Sequence, residues 1–274
     1  MIEIDSIDVS LNGRHILHEV SFSARPGQLT AIVGPNGSGK STLLKALCRD
    51  QAYQGDIFID GRELRGLSAM EAAVLRAVLP QASTLPFPFT VREVVAMGVT
   101  AGRPGVAPNA LARLPEEALA AVDLDGFGGR FYGELSGGEQ QRVQLARVLC
   151  QVWVPVLDGV PRYLFLDEPV SSLDIKHQLM IMDVARAYAN AGGGVIAVLH
   201  DLNLTAIYAD QVVALRDGAV MARGTPAAVI KDEVLAQVFD APLRVGVAPA
   251  RHVPFVLPHS AIAAETHRNL KVAQ

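Results

Sequence analysis

Cysteine is nearly absent from this chain: 274 residues hold two, Cys48 and Cys150. Two thiols make no disulfide framework, and their separation matches no metal-ligand spacing. Each falls in an apolar helical context, which suits reduced packing residues. Aromatic side chains are also scarce, at 5%, with a single tryptophan. The core must come from Val, Leu, Ile and Ala, and the supply is ample because half the residues are hydrophobic. No apolar run approaches the roughly 18 residues that would span a bilayer, and the opening MIEIDSIDVS carries acids where a secretory leader carries bases. A cytosolic chain is expected unless a partner holds it elsewhere. An excess of positive charge is missing too: 24 Lys and Arg face 28 Asp and Glu, net −4, with no basic stripe. Nucleic acid is therefore disfavoured as a partner. No internal repeat or low-complexity tract appears.

The length suits one large α/β domain or a core with an inserted subdomain. Leu29 to Val33 is a short apolar run broken at Gly34, and Ser41 to Leu47 has helical composition, so this segment reads as strand, loop, helix. Further apolar runs at Tyr163 to Leu166, Val195 to Leu199 and Gln211 to Leu215 each end in a polar or glycine-bearing turn. Such runs fit a parallel sheet covered on both faces. Between about Gln81 and Trp153 the pattern becomes Pro- and Ala-rich and helical, as in VREVVAMG and LPEEALAAVDL, which predicts a helical insertion over residues 82–153. Residues 1–240 would form the main unit. Residues 241–274, with APARHVPFVLPHS, are too irregular for a helix and too apolar for free disorder, so a tail packed on the core is expected. His252 and His259 in it are read as ordinary surface histidines.

GPNGSGKST, from Gly34 to Thr42, matches G-x-x-x-x-G-K-[ST] between a strand and a helix, the context that pattern requires. Gly34, Gly37 and Gly39 allow backbone N–H groups to point at phosphate oxygens, and the helix N-terminus adds partial positive charge. Pro35, Asn36 and Ser38 complete the loop. Lys40 would reach the β and γ phosphates, the Ser41 hydroxyl would ligate Mg²⁺, and Thr42 continues the helix. A phosphate cradle hydrolyses nothing by itself. YLFLDEP supplies the missing parts: four apolar strand residues, then Asp167 to hold the Mg²⁺ shell and Glu168 to polarise an attacking water. Two acids at a strand end alone are more often a helix-capping turn, and the partner motif in the same chain reverses that. VLHDL ends a third strand with His200 on the side where parallel-sheet ligands bind, within reach of the γ-phosphate or the water. Gln81, from spacing alone, is an ordinary loop residue.

A second anion site is suggested by LSGGEQQRVQLAR. Ser136 and Glu139 form a capping box, which explains those two residues. It does not explain Gly137 and Gly138, which cost roughly 1 kcal/mol each in helix propensity and bare the N–H groups at the positive end of the helix. Val143, Ala146 and Leu149 give that helix a buried face and leave its N-terminus free. Nothing in this chain supplies the anion.

These motifs, in this order, resemble the signature of the ATP-binding cassette ATPases over nearly the whole chain, about Ile2 to Phe239. The resemblance implies a P-loop NTPase (RecA-like) α/β core with a parallel sheet, a small antiparallel β region and an inserted α-helical subdomain. It implies ATP and Mg²⁺ as cofactors, with Ser41, Gln81 and Asp167 at the metal and Glu168, His200 and Gln81 at the attacking water. It also implies a homodimer in which Ser136 and Gly138, flanked by Gly137 and Glu139, contact the γ-phosphate held by Gly34 to Thr42 of the second copy. SSLD, with Asp174, resembles the loop that links the paired sites. One departure stands out: the family stacks adenine on an aromatic residue at the position held here by Leu11, so base stacking is weakened or supplied by a neighbour such as His15.

The single cassette and an insertion of about 70 residues resemble a transporter subunit rather than chromosome-organising, repair or translation cassettes. TLPFPFTVREVVAMG, EQQRVQLARVLCQVW and VLHDLNLTAIYAD are similar to the haem (hemin) import ATPases of the iron-chelate and cobalamin uptake group. The resemblance implies two membrane-spanning permease subunits docked beside Gln81, an indirect link to a periplasmic haem-binding protein, and a peripheral place on the cytoplasmic face of the bacterial inner membrane. Ferric siderophore or cobalamin import is the alternative, and a soluble non-transport cassette a further one.

Overall fold

The computed structural model describes residues 1–81, 85, 87–171 and 173–260. The chain opens with a hairpin of β1 (Ile2–Leu11) and β2 (Arg14–Ala24). β3 (Leu29–Val33) leads through the glycine loop into α1 (Lys40–Cys48). β4 (Gln54–Ile59) and the short β5 (Arg62–Glu63) rejoin β1, giving an antiparallel sheet in the order β2-β1-β4-β5. α2 (Ala69–Leu75) passes directly into β6 (Arg76–Leu79). The helical region follows, with α3 (Val91–Ala101), α4 (Leu114–Ala121) and α5 (Gly137–Gln151). A small hairpin, β7 (Val156–Leu157) and β8 (Val160–Pro161), returns the chain to β9 (Tyr163–Asp167). Then come α6 (Ile175–Asn190), β10 (Gly194–Val198), α7 (Leu202–Tyr208), β11 (Gln211–Arg216) and β12 (Ala219–Gly224). α8 (Pro226–Val229) and α9 (Asp232–Phe239) close the unit.

The main sheet runs β12-β11-β3-β10-β9-β6, all parallel except β12 at one edge. Strand alternation divides the core in two. Leu29, Ala31, Leu164, Leu166, Val195 and Ala197 face the helical side with α5 and α6. Ile32, Tyr163, Phe165, Ile196 and Val198 face α1 and the antiparallel sheet. Each fully buried aliphatic of this kind contributes about 1.5–3 kcal/mol, so aliphatics suffice where aromatics are few. Cys48 and Cys150 are buried free thiols, and burial pushes each up to about 12.

β6 escaped the sequence reading for a physical reason. SAMEAAVLRAVLP continues a helical composition through Leu79, and Ser68 with Glu71 starts it with a capping box. The backbone turns extended at Arg76 because Ala77, Val78 and Leu79 pair with Leu164, Phe165 and Leu166 of β9. A distant partner overrides local propensity here. Residues 242–256 are exposed; only Leu257 and Pro258 become half-buried, where the turn Pro258–Ser260 meets α7. His252 is exposed, while the side chain of His259 and residues 261–274 of the expected tail lie outside the described residues. No described helix is long and apolar enough to cross a membrane.

Candidate functional site

Parallel register brings four strand ends to one edge of the sheet. Leu79 pairs with Leu166, Asp167 with Val198, and Val198 with Ile32. The residues just beyond those ends are Gln81, Glu168, His200 and Gly34, so segments far apart in sequence meet where ligands of open α/β sheets bind.

The loop Gly34 to Thr42 wraps the N-terminus of α1. Gly34, Gly37 and Gly39 all take positive φ, at 151°, 78° and 99°. At Gly34 a Cβ would lie 2.1 Å from the Leu215 carbonyl oxygen, whereas at Gly37 it would meet nothing within 4 Å. Gly34→Ala is therefore expected to cost about 3 kcal/mol through a backbone clash, and Gly37→Ala about 1–2 kcal/mol of left-handed strain alone. Urea unfolding of the two variants checks the order. The far side of the loop is clamped: Gly218 N–H donates to Ser38 O (3.2 Å), and the Gly218 carbonyl accepts from His18 N–H (2.9 Å). Gly218 was not read from the sequence; Asp217-Gly218 signals a hairpin turn, but its contact with the loop is long-range.

Lys40 is buried and its Nζ donates to the Gly34 and Pro35 carbonyls at 2.9 and 2.8 Å. Burial pulls its pKa down, with Glu168 and Asp167 opposing. Ser41 Oγ donates to Asp167 Oδ1 at 3.1 Å. Asp167 is buried, and that burial, more than any neighbour, raises its pKa. A hydroxyl and a buried carboxylate in contact, both hard oxygen donors, fit a small divalent cation that takes its other ligands from phosphate and water. Such a cation would offset the cost of the buried charge.

Glu168 stands next to Asp167 in a left-handed backbone, φ 50°. A non-glycine residue held there costs on the order of 1–3 kcal/mol, and such strain persists only where the surroundings over-determine it. They do: its carbonyl accepts from Gln141 Nε2 (3.1 Å) and Ser171 Oγ (3.2 Å). Its carboxylate accepts from Gln81 Nε2 at 2.8 Å and lies 2.6 Å from His200 Nε2. Gln81 and His200 therefore converge on Glu168, and Gln81 turns its amide toward Glu168 rather than toward Ser41 and Asp167. A carboxylate bracketed this way can hold and polarise a water. Gln141, one helix away, was not foreseen; no local signal marks it.

The second cradle lies elsewhere on the surface. Ser136 caps α5: Glu139 N–H donates to Ser136 Oγ (3.3 Å), and Glu139 Oε2 accepts from Ser136 N–H (2.8 Å) and Oγ–H (2.7 Å). These bonds hold the Glu139 carboxyl below its ordinary pKa. Ser68 with Glu71 and Thr90 with Glu93 make the same box on α2 and α3, so the box itself distinguishes nothing. The middle residues do: Ala-Met and Val-Arg in the first two, Gly-Gly in the third. A Cβ on Gly137 would meet nothing within 4 Å, so the glycine serves no packing within this chain. Asp174 of SSLD caps α6, accepting from His177 N–H at 2.9 Å. Leu11 is half-buried on the antiparallel sheet, and His15 is exposed and paired with Asp8 at 2.9 Å. Among the described residues no group of three or more His, Cys, Asp or Glu is placed to hold a metal.

A parallel sheet with a glycine loop on a helix N-terminus and acids at the next strand end defines a P-loop nucleotide-binding protein. The description "ABC transporter" belongs to the family model that matches residues 17–171. A hemin import ATP-binding protein of Mesorhizobium japonicum is 62% identical over 96% of this chain and 100% of its own length. Another hemin import ATP-binding protein, from Chelativorans sp., is 58% identical with the same coverage of each. Among solved structures, a bacterial Atm1-family ABC exporter with ATP bound aligns with TM-score 0.69 and 28% identity, over 86% of this chain and 39% of that one. A dimeric bacterial ABC transporter cassette aligns with TM-score 0.70 at 24% identity, over 82% of this chain and 99% of that one, a likeness of fold. The chain belongs to the ABC transporter family and is its ATP-binding ATPase cassette.

Proposed function

We propose that this cassette hydrolyses ATP to power haem (hemin) uptake across the bacterial inner membrane. It works as a homodimer on the cytoplasmic face, docked on two permease subunits that receive haem from a periplasmic binding protein. The cargo rests on one observation: relatives named for hemin import match this chain at 54–62% identity along nearly their whole length. Residues 1–240 are the ATPase unit with residues 82–153 inserted, and residues 241–274 are an appendage.

In this reading Gly34 to Thr42 bind the phosphates, with Lys40 as the point charge. Ser41 and Asp167, with Gln81 nearby, would hold Mg²⁺, which would supply positive charge against the phosphates. Glu168 takes the proton of the attacking water, and His200 and Gln81 orient that water. Ser136, Gly137 and Gly138 of the second copy close over the γ-phosphate, with Glu139 holding their turn. ATP favours the closed dimer and hydrolysis releases it; a switch from 1:99 to 99:1 needs roughly 5.5 kcal/mol of differential binding.

Asp167 gives a test in which stability and activity part. Its folded pKa is raised, so the folded state binds more protons than the unfolded one, and stability falls as pH rises from the unfolded value through the folded one. Wherever it is ionised, the buried carboxylate is a net burden on the nucleotide-free fold. Asp167→Asn is expected to raise the melting temperature without nucleotide and to flatten its fall as pH rises above the ordinary carboxylate range, while Mg²⁺-dependent turnover collapses. Scanning calorimetry and phosphate release check it, and a lower melting temperature would count against the burial argument. The cargo is tested by reconstitution with the permease subunits, comparing ATPase stimulation by binding proteins loaded with haem, ferric siderophore or cobalamin. Stimulation by haem alone is expected; stimulation by either other cargo overturns the assignment.

A further inference from the structure

His177 is used by none of the roles above. α6 begins with Asp174 as cap, and His177 sits in its first turn. His177 Nδ1 lies 2.9 Å from both carboxylate oxygens of Asp174. On the other side of the ring, Nε2 lies 3.7 Å from Asp123 Oδ2. Asp123 belongs to the turn after α4, in the helical region, and takes a left-handed φ of 58°. The same imidazole therefore touches the loop that leaves Glu168 and the inserted helices.

The neighbours sharpen this. Arg142 of α5 is buried and its Nη1 donates to the Val122 and Asp123 carbonyls at 3.2 and 2.8 Å, fixing the turn that presents Asp123. Lys176 Nζ donates to Asp123 Oδ2 at 2.6 Å, but both partners are mostly exposed; such pairs contribute little. Gln178, next to His177, donates to the Val170 and Leu173 carbonyls at 3.3 and 3.0 Å and so ties α6 to the loop. Ser171 N–H and Leu173 N–H donate to Glu168 O and Val170 O, both at 3.3 Å. The charged groups that gather here are Asp123, Asp174, Lys176, Arg142 and Glu139.

We propose that His177 is a positioning residue: with Nδ1–H donating to Asp174 and the far edge of the ring packed beside Asp123, it fixes the loop that carries Glu168 against the helical subdomain, which also carries the signature turn. This rests on Glu168 acting at the water, as read above. This packing joins, within one chain, the parts that would serve the two opposite sites of a dimer. A displacement of about 1 Å in such a loop can cost up to about 100-fold in rate, whereas ATP binding by Gly34 to Thr42 needs neither α6 nor Asp123.

The two ring nitrogens can be tested separately. An asparagine reaches Asp174 as Nδ1 does but falls short of Asp123; a glutamine reaches toward Asp123 as Nε2 does. His177→Ala and His177→Asn are expected to lower kcat about tenfold with KM for ATP unchanged, and His177→Gln to restore kcat to within about twofold of the native enzyme. Asp123→Ala should match His177→Ala, and the double variant should fall no further, because the two act as one unit. Hydrogen exchange at the Ser171 and Leu173 amides should quicken in His177→Asn and Asp123→Ala. That readout involves no chemistry by Glu168, so it separates failure of this proposal from failure of the base assignment. Wild-type kcat in His177→Asn, additive losses in the double variant, or unchanged exchange at both amides would each overturn it.

Discussion

Glu168→Gln is expected to bind ATP as the native chain does and to lose about 10³-fold in turnover. Removal of a general base costs about 10²–10⁴-fold, and little else should change, because the amide is nearly isosteric with the carboxylate. Glu168 is held chiefly by its backbone: Gln141 Nε2 and Ser171 Oγ both donate to its carbonyl, and neither bond depends on the side chain. Its left-handed φ therefore survives the substitution. The side chain loses one acceptor facing Gln81 and His200, and Gln81 can rotate its amide to accept instead. The variant should thus keep its fold, its phosphate loop and the Ser41–Asp167 contact. ATP then persists between two copies, and a dimer should accumulate on size-exclusion chromatography with ATP and Mg²⁺. Equilibrium ATP binding, single-turnover phosphate release and dimer lifetime are the three measurements. Turnover near wild type would move the base role away from Glu168, and His200, 2.6 Å away, would be the next group to remove.

Much of this site could be read from the chain because its parts are local. A glycine loop between an apolar run and a helix, or two acids at the tip of YLFL, are short-range patterns with short-range causes. The strand runs Leu29 to Val33, Tyr163 to Leu166, Val195 to Leu199 and Gln211 to Leu215 appear as strands within a residue of the expected ends. Four hairpin turns that the sequence analysis did not name, Asn12-Gly13, Asp60-Gly61, Asp158-Gly159 and Asp217-Gly218, take two successive positive φ angles, as those dipeptides favour. What the chain hides is what depends on distant partners. β6 becomes a strand only because β9 lies beside it. Gln141 and Gly218 matter through contacts with Glu168 and Ser38, each more than twenty residues away, and nothing local announces them. The spacing of Gln81 suggested nothing special either; its meeting with Glu168 follows from the register of β6 on β9.

Ser136→Arg is expected to leave a folded, ATP-binding monomer that neither dimerises nor turns over. The monomer loses one cap: the bond from Glu139 N–H to Ser136 Oγ disappears, costing about 1 kcal/mol. Val143, Ala146 and Leu149 keep the buried face of α5, so the helix stays in place. The phosphate loop lies on another element and shares no hydrogen bond with Ser136, so nucleotide affinity of the monomer should hold. The damage falls on what would approach from outside. Space above Gly137 is open in this chain, and in the proposed dimer the N–H groups beside it would meet an anion brought by the second copy. A guanidinium on a long stem at residue 136 fills that space and blocks close approach. Ser136→Ala serves as the control: it removes the same cap and one phosphate contact without the bulk, so it should match the stability loss and weaken ATP-driven dimers without abolishing them. Urea unfolding and light scattering with ATP, in the Glu168→Gln background to trap the closed state, separate these outcomes. If Ser136→Arg still dimerises on ATP, the open glycine turn is not half of a shared site, and the pairing of two chains must be sought on another face.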